Sequence, residues 1–96
     1  MKALFVINAS ILDQELLDDY RAAAKPSMAK YGARMLASAN DAEIIEGEPF
    51  GRRVVVVEFP NREAFHAWYA DPEYAGPLAM RLKATHGIAL LVDGRE

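Results

Sequence analysis

The residues of this chain best suited to chemistry gather between Phe65 and Leu82. Asp71-Pro72 reads as a helix start, an N-cap acid followed by proline at the first helical position. On the helix entered there, Tyr74, Leu78, Arg81 and Leu82 fall at i, i+4, i+7 and i+8, one face if the helix continues through Gly76-Pro77. An arginine on an apolar stripe is unusual, because burying a guanidinium is costly unless it is paired. Either Arg81 reaches outward to water or a carboxylate, or it anchors an anion in a pocket, where its planar fork matches carboxylate or enolate oxygens. Trp68 would then supply the flat wall of the pocket and Tyr74 its hydrogen-bonding tip; the plainer alternative for both is core packing. Arg34, on a strand, is a second candidate cation.

Other chemistries find little support. His66 and His86 stand twenty residues apart with no HxH or HExxH neighbour, and there is no cysteine, so neither a metal nor a haem cofactor is expected. Ser10, Ser27 and Ser38 lack a GxSxG context. The glycines are scattered singly, without a phosphate-cradling loop. Asp18-Asp19, Glu43, Glu46 and Glu48 read as a solvated face. Glu58 shares a strand face with Val54 and Val56, so it needs either the sheet margin or a partner such as an arginine.

The elements that must position these residues follow from hydrophobic periodicity. Lys2–Ala9 is an apolar, β-branched strand. Asp13 caps a helix with Leu12, Leu16, Tyr20 and Ala23/Ala24 on one face, running to about Ala24, with a kink or restart at Pro26 and an end at Gly32. From Ala33 the period is two, and Glu43–Glu46 resumes an extended pattern after Asn40-Asp41, which predicts one long bulged strand. Arg52–Phe59 is the clearest strand, ended by Pro60. Asn61 caps a helix with the stripe Phe65, Trp68 and Tyr69, the second helical segment runs from Pro72 to Thr85 with a break and restart at Gly76-Pro77, and Ile88–Val92 is the last strand. The order β-α-β-β-α-β predicts an α+β, ferredoxin-like sandwich: a four-stranded antiparallel sheet with both helices on one face, one domain over 1–96.

Such a sheet normally alternates apolar and polar residues, because only one face is covered. Leu4-Phe5-Val6-Ile7, Val54–Val57 and Ile88–Val92 are instead apolar on both faces. The 96 residues are 52% hydrophobic, more than one small core needs. The expected partner is an identical subunit packed on the open sheet face, giving a dimeric α/β barrel. A net charge of −3 argues against sequence-independent binding to nucleic acid. No apolar run approaches a membrane span, and no signal peptide is visible, so a cytoplasmic location is the default.

The chain also resembles a known family of small bacterial proteins, domain of unknown function 1330. The resemblance is carried by Lys30-Tyr31-Gly32-Ala33-Arg34, Glu46-Gly47, Val55–Asn61, Ala67-Trp68-Tyr69, Asp71-Pro72-Glu73-Tyr74, Arg81 and Asp93-Gly94, and departs at Ala33, where the family often has a second glycine. It implies a ferredoxin-like protomer in a dimeric α/β barrel and supplies no reaction. The wider superfamily includes cofactor-independent monooxygenases, muconolactone isomerase-like enzymes, haem-using members and stress-response proteins, with pockets between sheet and helices. Trp68, Tyr74 and Arg81 are similar in kind to residues lining monooxygenase pockets there, an analogy at the level of the fold.

Three readings follow. In the first, the cleft is an active site for a small anionic or aromatic compound, with Tyr74 and Arg81 catalytic and Trp68 and Arg34 binding substrate. In the second it is a ligand-binding module without chemistry, and in the third the aromatics are all core of a structural dimer.

Overall fold

The computed structural model describes residues 1–95. The chain runs β1 (Ala3–Ile11), α1 (Gln14–Lys30), β2 (Arg34–Ala39), β3 (Arg53–Phe59), α2 (Arg62–Ala70), α3 (Pro72–Ala84) and β4 (Thr85–Asp93). The strands form one antiparallel sheet in the order β2-β3-β1-β4. This is the ferredoxin-like arrangement the element order predicts, with the second crossover divided into two helices at Asp71.

Strict alternation sorts the strands onto two faces. Ala3, Phe5, Ile7 and Ala9 of β1 and Val55, Val57 and Phe59 of β3 are buried beneath the helices. They pack there on Leu17, Tyr20 and Ala24 of α1, Phe65 and Trp68 of α2, and Tyr74 and Ala84 of α3. On the other face the register places Leu4 opposite Val92 and Val6 between Val56 and Leu90. Ile88, Leu90 and Val92 are 43%, 56% and 45% exposed, so this face is apolar and uncovered in the isolated chain.

The helix ends are built as the sequence suggests. The side chains of Asp13, Asn61 and Asp71 accept from the backbone N–H groups of Leu16, Ala64 and Glu73. Gly32 has φ +72°, a left-handed conformation that glycine adopts without a Cβ penalty. There the N–H groups of Ala33 and Gly32 bond the carbonyls of Met28 and Ala29, a Schellman closure of α1. Gly87 is required for a different reason: a Cβ would lie 2.1 Å from the Asn8 carbonyl oxygen across the β1–β4 pair.

Several local expectations are corrected. Helix α1 is continuous through Pro26, whose missing N–H would have bonded the carbonyl of Ala22; both residues are exposed, so water can take that bond. The buried stripe of α1 keeps the expected Tyr20 and Ala24, takes Leu17 in place of the partly buried Leu16, adds Ser27 and leaves Leu12 outside. Helix α3 likewise runs unbroken through Gly76-Pro77. Tyr69 sits at the rim, 36% exposed. Strand β2 stops at Ala39, and its bulge falls between Met35 and Ala37. Glu43–Glu46 is not a strand: the last backbone bond across that pair joins Ala42 N–H to the Arg52 carbonyl, and Pro49 and Phe50 beyond it offer no ladder. Strand β4 starts at Thr85, three residues earlier than Ile88. Among the described residues no helix is long and apolar enough to cross a membrane.

Candidate functional site

A cavity of about 510 Å³ opens between α1 and the β2–β3 half of the sheet. The helix presents Leu17, Tyr20, Arg21, Ala24, Lys25 and Met28 to it, positions three and four apart that form one helical face. The sheet contributes Phe5 and Ile7 from β1, Arg53, Val55 and Val57 from β3, and Met35 and Ser38 from β2. Alternate residues of each strand reach it because side chains along a strand point to opposite faces. Trp68, Arg81 and Thr85 complete the wall.

The end of the cavity toward α3 is held by aromatic and hydroxyl groups. Trp68 is 1% exposed, and its indole N–H donates to Ser27 Oγ at 3.2 Å, while Ser27 donates in turn to the Ala24 carbonyl. This chain sets the orientation of the indole. The ring of Tyr74 lies 3.9 Å from that of Trp68, centroid to centroid, and its hydroxyl is 2.8 Å from the hydroxyl of Tyr20. Arg81 donates from Nε to Tyr74 Oη at 3.4 Å and lies over the ring of Phe5, 5.8 Å from its centroid. Burial, and then Tyr74, push the Tyr20 phenol well above its ordinary pKa, so it stays protonated and available as a donor.

Two guanidiniums are buried here without an acid. Arg81 is 6% and Arg53 7% exposed. Arg53 donates to the neutral Asn40 Oδ1 at 2.7 Å, and among the described residues neither arginine forms a salt bridge. Burial and the nearby Arg21 lower the pKa of Arg53. For Arg81, burial acts in the same direction, but Tyr74 and Tyr20 outweigh it and the net shift is upward. Arg21 and Lys25 add positive charge at the rim, and among the described residues no Asp, Glu or His lines the cavity. Its electrostatics favour an anion, and its walls favour an apolar body.

Of the residues singled out from sequence, Trp68 and Arg81 line this cavity. Tyr74, 0% exposed, stands behind the wall and touches it through the hydroxyl of Tyr20, Arg81 Nε and the Trp68 ring. Arg34 pairs with Glu58 in the register, on the sheet face opposite the cavity, and cannot share a ligand with Arg81. Glu58 meets Lys2 at 3.1 Å rather than an arginine. Tyr20 and Arg53 were missed as site residues. Arg53 was legible in principle, since it has the same parity as Val55, Val57 and Phe59 on the buried face of the clearest strand. Among the described residues no three His, Asp or Glu side chains converge on a common point.

The family described as "Domain of unknown function (DUF1330)" matches residues 2–95. A protein of unknown function from Rhodopseudomonas palustris superposes with a TM-score of 0.84 at 14% identity, covering 99% of this chain and 83% of that one. SnoaB, a cofactor-independent oxygenase from Streptomyces nogalater, gives a TM-score of 0.71 at 12% identity, with 99% and 94% covered. A dimeric protein of unknown function and ferredoxin-like fold from Bacteroides fragilis gives 0.63 at 11% identity, with 97% and 96% covered. At these identities the likeness is one of fold. No curated protein matches the sequence.

Proposed function

The chain belongs to the family described as domain of unknown function (DUF1330), and we propose that it binds a small anionic, apolar or aromatic compound in the cavity beneath α1. The observation that carries this reading is Arg81: a buried guanidinium without a carboxylate, on the wall of a cavity of about 510 Å³, within the range of small-molecule sites. An anion supplied by a ligand removes the cost of burying that charge alone.

Chemistry at such a site would rest on Arg81 and Tyr20 as donors to an oxyanion, such as an enolate, developing on the ligand. Tyr74 acts behind them as a positioning residue for both. Among the described residues the lining holds no carboxylate or imidazole to serve as a general base, which favours binding, or stabilisation of charge already on the ligand, over proton abstraction by the protein. The fold shared with a cofactor-independent oxygenase makes oxygenase-like or isomerase-like turnover the first activity to assay.

The working form is a cytoplasmic homodimer joined through the open sheet face. Its support is the exposed apolar row Ile88, Leu90 and Val92 and the dimeric state described for the Bacteroides fragilis relative in fold.

A thermal-shift screen of small carboxylates, phenols and their neutral analogues tests the proposal. A specific ligand raises the melting temperature by mass action, and folded Arg81→Met loses that response. Stabilisation unchanged in Arg81→Met would overturn the assignment. Turnover of a stabilising compound, with its loss in Arg81→Met, would mark the site as catalytic.

A further inference from the structure

The cationic groups of the cavity gather toward one end, where Leu17 joins them, and its methionines toward the other. Helix α1 runs back along the sheet from the Ile11 end of β1, so its first turns lie over the start of β3 and its last turns over the start of β2. Arg53 pairs with Ala9 near the first end, and Met35 pairs with Val57, itself opposite Phe5, near the second. Tyr20, Arg21 and Arg53 therefore stand at one end, and Met28, Met35 and Val57 at the other. Tyr20 to Met28 spans about 12 Å along the helix, and Arg53 to Val57 about 13 Å along the strand.

We propose that the ligand is an amphiphilic monocarboxylic acid, seated with its carboxylate among Arg53, Arg81 and Tyr20 and its apolar body extended toward Met28 and Met35. This rests on the reading of the cavity as a ligand site and names the class and orientation of what it takes. The Tyr74 hydroxyl, 2.8 Å from that of Tyr20, accepts from Arg81 Nε at 3.4 Å, and Arg53 lines the same cavity as Tyr20 and Arg81. Both arginines are more than nine-tenths buried. The acid that acts on Arg53 is Asp18, which is exposed and accepts from Gln14 at the surface, so it does not occupy the head site. Planar guanidinium forks and a phenol donor match a carboxylate. A phosphate is disfavoured because Leu17, the one first-turn residue in the described lining, has its N–H bonded to the Asp13 carbonyl, whereas the usual phosphate cradle is a helix N-terminus with free N–H groups. Lys25, exposed on the rim between the two ends, guides an acid toward the opening.

Octanoate, 1-octanol and butyrate separate the head from the tail, and the single tryptophan, Trp68, on the cavity wall reports their binding through its emission. Octanoate is expected to saturate the signal, with 1-octanol and butyrate each at least tenfold weaker. In Arg53→Met, octanoate should weaken to the level of 1-octanol while 1-octanol is unchanged. If Arg53→Met does not fold, the comparison of the three compounds on the unaltered protein decides alone. Equal affinity for octanoate and 1-octanol would overturn the carboxylate head, and equal affinity for octanoate and butyrate would overturn the apolar tail; either result leaves the cavity standing as a ligand site. Failure of all three, together with failure of every compound in the wider thermal-shift screen, would overturn the ligand site itself and this proposal with it.

Discussion

The hydroxyl of Tyr20 lies 2.8 Å from the hydroxyl of Tyr74, joining a phenol on the cavity wall to one wholly buried behind it. Tyr74→Phe keeps the ring stacked on Trp68 and removes only that bond and the one from Arg81. The expected cost is about 1–3 kcal/mol of stability, because the buried Arg81 Nε–H loses its acceptor, while Tyr20 retains access to the cavity for another partner. Tyr20→Phe is expected to lower ligand affinity more than Tyr74→Phe does. Urea denaturation and ligand titration of the two variants check the pair.

Ser27 tests how the indole is held. Its hydroxyl is the acceptor for Trp68 Nε1, and Trp68 is 1% exposed. Ser27→Ala leaves a buried N–H without its partner, at an expected cost of about 1–3 kcal/mol. The midpoint of chemical denaturation, followed by Trp68 emission, measures it; an unchanged midpoint would show that the bond does not hold the ring.

Asp71 predicts the acid limb of stability. It caps α3 and binds back to the end of α1, accepting from Tyr31 Oη at 2.5 Å and Lys30 Nζ at 3.0 Å. The Tyr31 hydroxyl, then the Glu73 N–H and Lys30, hold its pKa at about 2 against an ordinary 3.8. A depressed carboxylate contributes stability that is present above its unfolded pKa and lost as the pH falls through its folded one. Asp71→Asn should therefore be less stable than the parent at pH 6, with the gap closing between pH 4 and pH 2. Denaturation midpoints across that range are the readout, and a constant gap would contradict the linkage.

What the sequence disclosed and what it hid divide on physical grounds. Caps and turns are local, so Asp13, Asn61, Asp71 and Gly32 could be read directly. The lack of polar alternation marks both sheet faces as apolar, because the face of a strand residue follows from its parity without knowledge of the partner strand. The hydrogen bonds of Tyr20 with Tyr74 and of Ser27 with Trp68 join residues 54 and 41 apart in the chain, and no local pattern encodes them. Arg34 was misplaced for a related reason: which face of a strand is covered depends on register, and Glu58 opposite it settles that only in three dimensions. Pro26 misled because the cost of a lost helical bond depends on whether water can replace it.

The open face gives a prediction about assembly. Leu90 pairs with Val6 at the middle of that face and is 56% exposed. Leu90→Lys is expected to yield monomers in sedimentation, and the parent to sediment as a dimer and to melt at a temperature that rises with protein concentration. Interfaces of this obligate kind bury more than about 2,000 Å², so a parent chain that stays folded and monomeric at micromolar concentration would refute the dimer.

The proposed ligand site beneath α1 is tested most directly by a crystal structure of the protein grown with a stabilising carboxylic acid. The predicted result is ligand density beneath α1, with the carboxylate within hydrogen-bonding distance of Arg81 or Arg53 and the apolar body against Trp68, Met28 and Met35. Ligand bound instead on the open sheet face, or a closed cavity with Tyr20, Trp68 and Arg81 packed together, would contradict it.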